Sequence, residues 1–120
     1  MVEISIQGAV AVFEVQGLHR LWALKSRLEI PLQHIRGVRA DPGIAHGWWK
    51  GFRLPGTHVP GVIIAGTFYR DGKRIFWDVH RAERAVVVEL ANERYDALIV
   101  EVADPQVAVA RLEDARTTVL

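Results

Sequence analysis

At 120 residues the chain has the length of one domain, enough to bury about two thirds of its unfolded surface without a disulfide or metal staple. It has no cysteine, which excludes disulfides, thiolate zinc sites and cysteine nucleophiles and suits a reducing compartment. A net charge of +1 and a pI near 8.2 fall short of the strongly basic balance of a dedicated nucleic-acid binder, which argues against that partner.

Half of the residues are apolar and the mean hydropathy is +0.11. These values sit at the upper edge for a soluble domain, so filled strands and a subunit interface are expected. No run reaches the roughly 18 apolar residues of a membrane span. The opening MVEISIQGAVAVFEV carries no basic leader, and Glu3, Gln7 and Glu14 interrupt any signal-peptide core, so the expected location is cytoplasmic.

Charge is unevenly placed. Residues 34–84 carry a net +5 and residues 85–120 a net −4, while the first 33 residues balance. Such polarity steers an anionic ligand to one end or seats one subunit against another.

In chain order, VEISIQGAVAVFEVQ alternates apolar residues at Val2, Ile4 and Ile6 and again at Val10 or Val12. It predicts two short strands or one bent strand, with the bend at Gly8. LHRLWALKS has helical spacing, with Leu18, Leu21, Trp22 and Lys25 on neighbouring turns. RLEIPLQHIRGVRA returns to strand chemistry: Leu28 and Ile30 share a face, and Pro31 indicates an edge or bulge.

Residues 41–60 lose all periodicity, and their glycines and prolines predict a long loop. GVIIAGTFYRDGKRIFWDVH then predicts a hairpin about Asp71-Gly72. In a second hairpin Val86, Val88 and Leu90 alternate with Glu89, and Leu98, Val100 and Val102 with Glu101. Each strand is expected to turn one face to a core and one to water. ADPQVAVARLEDA closes the chain with a helix over about 104–117, Asp104 as N-cap, Pro105 in the first turn, and Ala108, Leu112 and Ala115 as the buried stripe.

The expectation is one mainly β domain (α+β) over residues 1–120: about seven antiparallel strands in a sandwich or partly open barrel, capped by a C-terminal helix. The stretches LEIPLQHIRGV, RLPGTHVPGVIIAGTFYRDGKRIFWDV and AVVVELANERYDALIVEVADP resemble small bacterial pleckstrin-homology-like (PH-like) proteins and domains. The resemblance spans most of residues 26–105. It implies the PH-like fold and an interaction module, since some bacterial relatives assemble as homo-oligomers and eukaryotic ones bind phosphoinositides, peptides or proteins. Phosphoinositide-binding members carry cations in the hairpin between their first two strands. Here that hairpin is Gln7-Gly8-Ala9, without a cation.

Within the long loop, GWWKGFRLPG places Trp48, Trp49 and Phe52 beside Lys50 and Arg53. The composition suits a membrane-interface or anion-recognising loop. It equally suits a lid whose tryptophans close one end of the barrel, with glycines allowing close backbone approach. Lys50, Arg53, Thr57 and His58 are the candidate ligand-binding residues, for a carboxylate, a phosphate or a lipid headgroup.

Asp78 and His80 lie two apart on one strand face, the arrangement of an acid/base pair, but same-face neighbours on a half-exposed strand are usually just solvated. The five histidines (19, 34, 46, 58 and 80) have no paired metal spacing, Ser5 and Ser26 lack a nucleophile elbow, and no phosphate loop occurs. No catalytic residue, metal or cofactor is therefore expected. The expected function is a non-enzymatic PH-like module acting through contacts with itself or another protein; the alternative is an anionic small molecule or lipid headgroup bound by the loop at 47–61.

Overall fold

A computed structural model describes residues 2–15, 27–43, 64–70, 72–79 and 81–119. Among these residues the elements are β1 (Val2–Gln7), β2 (Val10–Val15), β3 (Arg27–Pro31), β4 (Ile35–Ala40), β5 (Ile64–Arg70), β6 (Lys73–Val79), β7 (Ala85–Leu90), β8 (Ala97–Glu101) and helix α1 (Pro105–Val119). They form a three-stranded sheet in the order β1-β2-β3 and a five-stranded sheet in the order β4-β7-β8-β6-β5. The predicted early helix at LHRLWALKS and all but the first residues of the predicted loop 41–60 lie outside the described residues.

The small sheet is a meander. Gln7 pairs with Val10, leaving Gly8-Ala9 as a two-residue turn. Gly8 takes φ 62°, the left-handed value that suits glycine at the first central position of a type II′ turn. The predicted bend is thus a full reversal. Residues flanking such a turn are hydrogen-bonded to each other, so Val2, Ile4 and Ile6 turn their backbone groups away from β2 toward the free edge of β1.

Pro31 ends β3 on the opposite edge, where its missing N–H costs no ladder bond. A 3-10 turn, Leu32–His34, then carries the chain to the large sheet. It is tied to both sheets: the Leu32 N–H donates to the Ala9 carbonyl at 2.9 Å, and the His34 carbonyl accepts from the Ala91 N–H at 2.9 Å. RLEIPLQHIRGVRA therefore supplies two strands in two different sheets, and the described residues hold eight strands where about seven are expected.

In the large sheet Arg70 pairs with Lys73 about the expected Asp71-Gly72 turn, and Gly72 takes φ 78°. After β6 the chain passes through a second 3-10 turn, Ala82–Arg84, into β7. The next strand, β8, enters between β7 and β6 and runs parallel to β6, from Ile75 opposite Ala97 to Asp78 opposite Val100. One parallel pair thus stands in a fold expected to be wholly antiparallel.

That central position corrects a second expectation. The alternating pattern predicts one wet face for β7 and β8, but Ala85, Val87, Ile99 and Glu101 are buried along with Val86, Val88, Leu98 and Val100. Strands with neighbours on both sides and both faces covered read as continuous apolar runs, as Ala85–Val88 does. Ile75, Trp77, Val79, Ala85, Val87 and Ile99 form their own cluster on the second face, and Trp77 meets Phe68 edge-on at 6.4 Å. The main core lies on the other face, where Phe13, Leu28, Ile30, Phe76, Val88, Leu98 and Val100 from the two sheets pack together.

Helix α1 starts as its sequence predicts: Asp104 Oδ1 accepts the Val107 N–H at 3.2 Å, and Pro105 occupies the first helical position. Leu112 is fully buried in the main core, with Ala108 and Ala115 partly buried beside it. Its neighbours on the helix reach the edges of both sheets. The Arg111 guanidinium donates to the Ile4 carbonyl of β1 at 3.4 Å, and the Glu113 carboxylate accepts from the Val38 N–H of β4. Arg116 donates to Glu113 through Nε at 2.7 Å and Nη2 at 3.1 Å. These bonds from Arg116 hold the Glu113 carboxyl below its ordinary range, with the Arg116 charge and the Val38 bond adding to the effect against the opposing cost of burial.

Leu112→Ala is expected to cost about 2–5 kcal/mol and Asp104→Ala about 1 kcal/mol, measured by urea unfolding. Glu113 has a folded pKa below its unfolded one, so its contribution is present above the unfolded value and is lost as pH falls through the folded value. The deficit of Glu113→Gln relative to the parent is expected at about pH 6 and should close toward about pH 3. A difference that stays constant over that window would remove Glu113 as a contributor.

Candidate functional site

Two features among the described residues have the chemistry of a contact surface, and they lie at opposite ends of the large sheet. The first is an open groove of about 330 Å³ between β1, the turn that follows β8, and the first half of α1. Val2 and Ile4 line it from the small sheet, and Val102, Val107 and Ala108 from the turn and the helix. Glu3, Asp104 and Arg111 line it as well.

The groove lies where the edge strand β1 meets the first half of α1 and the turn before it. Arg111 is drawn onto the Ile4 carbonyl, an edge group that would otherwise be left to water. Val107 is 51% exposed, one helical position ahead of the buried stripe that begins at Ala108.

The second feature is the tip of the β5–β6 hairpin. Tyr69 is 63% exposed, and the Arg74 guanidinium lies 5.5 Å from its ring centroid. Lys73, at the turn, is exposed. The tip is braced by the loop between β7 and β8: the Arg74 N–H donates to Asp96 Oδ2 at 2.8 Å, and the Asp96 N–H donates to the Arg74 carbonyl at 2.8 Å. Tyr95 packs edge-on against Phe76 at 5.6 Å, with its hydroxyl 3.3 Å from Thr67 Oγ1. In the same loop Asn92 takes φ 60°, a left-handed value that asparagine tolerates better than most residues, and Glu93 pairs with His34 Nδ1.

The loop residues singled out from sequence, Trp48, Trp49, Lys50, Phe52, Arg53, Thr57 and His58, lie outside the described residues. So does His80. Asp78, expected on a solvated strand face, is instead 2% exposed, because β6 is flanked by β5 and β8 and packed on both faces. It shares its face with Phe76, within the main core. Among the described residues no three His, Asp or Glu side chains come together in a way that could hold a metal ion. No helix among them is long and apolar enough to cross a membrane. The β1–β2 turn carries no cation, only Gln7, Gly8 and Ala9.

Sequence reasoning missed the groove. Val107, an apolar residue off the Ala108-Leu112-Ala115 stripe, was its one visible sign. That β1 is an edge, and that α1 comes to lie beside it, depend on strand order.

Two sheets packed face to face and capped by a C-terminal helix define the PH-like class. A scan against protein-family models matches residues 10–98 to the bacterial PH domain, and the chain belongs to that family. Searches of curated proteins and of solved structures found no match.

Because the Tyr69 ring is mostly in water, Tyr69→Ser should change unfolding free energy by no more than about 0.5 kcal/mol. A larger loss in urea unfolding at a protein concentration where the chain is monomeric would place the ring in the fold rather than on its surface.

Proposed function

We propose that this protein is a non-enzymatic PH-like interaction module that works through protein contacts and associates with copies of itself. The observation that carries the reading is the groove between β1 and α1, which is lined by Val2, Ile4, Val102, Val107 and Ala108 together with the charged Glu3, Asp104 and Arg111. Such a surface suits an inserted protein segment, whose apolar side chain is covered while its charges stay at the wet margin. Membership of the bacterial PH domain family supports an interaction role. The opposed charge of residues 34–84 and 85–120 supports association between copies by bringing unlike ends together.

Trp48, Trp49 and Phe52 are proposed as a lid or part of the contact, with Lys50, Arg53, Thr57 and His58 as the residues that would meet an anionic group.

The test is light scattering after size exclusion, over a range of protein and salt concentrations. A defined oligomer that loosens as salt rises is expected; a parent that stays monomeric at its highest soluble concentration would refute self-association. In the alternative reading, with an anionic small molecule or lipid headgroup at the loop, the protein sediments with anionic vesicles and not neutral ones. Charge reversal at Lys50 and Arg53 would then abolish that preference.

A further inference from the structure

The geometry points to a head-to-tail contact in which the β5–β6 hairpin tip of one copy enters the groove between β1 and α1 of the next. This rests on the self-association reading and names its surfaces. Among the described residues two large apolar side chains are conspicuously exposed, Tyr69 at 63% and Val107 at 51%. One stands on the hairpin and the other on the groove, so each offers the other a partner that removes it from water.

Their surroundings are opposite in charge. Lys73 and Arg74 flank Tyr69 on the hairpin, and the nearby Asp96 carboxylate is engaged by the Arg74 backbone N–H. Among the described residues the groove is lined by the acidic Glu3 and Asp104 and by Arg111, whose guanidinium lies on the Ile4 carbonyl. Tyrosine is well suited to such a contact, because its ring covers apolar surface while its hydroxyl remains at the polar margin. The groove, at about 330 Å³, has room for that ring against Val107 and Ala108.

The contact is between copies and cannot form within one. β6 and β8 run parallel, with Ile75 beside Ala97 at the hairpin end, and the groove begins at Val102 beyond the far end of β8. Strand β8, Ala97–Glu101, alone separates them by about 13 Å at a rise of about 3.3 Å per residue. A contact that uses the hairpin of one copy and the groove of the next once each is heterologous, and it closes as a ring or continues as a filament.

Complementation tests whether the hairpin of one copy meets the groove of another. The hairpin variant carries Tyr69→Ser with Lys73→Glu, the groove variant carries Val107→Arg, and thermal unfolding shows whether each folds. If Val107→Arg proves unstable, Val107→Ser replaces it. Each variant alone is expected to be monomeric, with self-affinity weakened at least about tenfold.

Mixed in equal amounts, the two variants should form a one-to-one dimer that grows no further, since the pair retains one intact hairpin and one intact groove that can meet. A parent that is itself monomeric overturns both this contact and the self-association reading. An oligomeric parent whose folded variants keep the parent's size overturns this contact alone and leaves self-association to another surface. Variants that are monomeric both alone and when mixed overturn the head-to-tail geometry.

Discussion

Three consecutive residues of α1 join the two sheets. Leu112 is fully buried in the main core, and its neighbours turn to either side: Arg111 to the Ile4 carbonyl of β1 and Glu113 to the Val38 N–H of β4. Both backbone groups face away from their own ladders, so each is an edge group in need of a partner. A donor side chain meets the carbonyl and an acceptor meets the amide. One helical turn thereby fills the core between two edges that have no strand between them, which is what lets two separate sheets behave as one capped sandwich.

The large sheet depends on a different constraint, the insertion of β8 between β7 and β6. Antiparallel to one neighbour and parallel to the other, β8 is satisfied on both edges and packed on both faces, with Leu98, Ile99, Val100 and Glu101 buried in succession. Its ends locate the two contact features. The loop before it braces the hairpin through Asp96 and Tyr95, and the turn after it supplies Asp104 both as the cap of α1 and as a wall of the groove.

The edges are unequal in protection. β3 ends in Pro31 and carries Arg27 and Glu29, β4 has a register irregularity between Ile35 and Gly37 and gives its Val38 amide to Glu113, and β1 is only partly covered by α1. The groove lies where β1 meets the first half of α1. An edge strand with apolar side chains beside it is a natural place for another chain to dock, so the proposed interaction surface follows from the way the helix closes the sandwich.

The sequence by itself determined what depends on near neighbours. Gly8 and Gly72 mark turns because their left-handed φ values belong to two-residue reversals, Asp104-Pro105 starts a helix through a bond three residues away, and alternating apolar residues mark the strands. The resemblance carried by residues 26–105 pointed to the family. Strand order was not legible, because pairing of β8 with β6 is decided by which edges remain open after the hairpins form, and no local pattern encodes that. From it follow the burial of Asp78 and Glu101, the double coverage of β7 and β8, and the placing of Tyr69 and Val107 at opposite ends. Only the tertiary structure decided these, because burial and edge exposure are properties of neighbours distant in the chain.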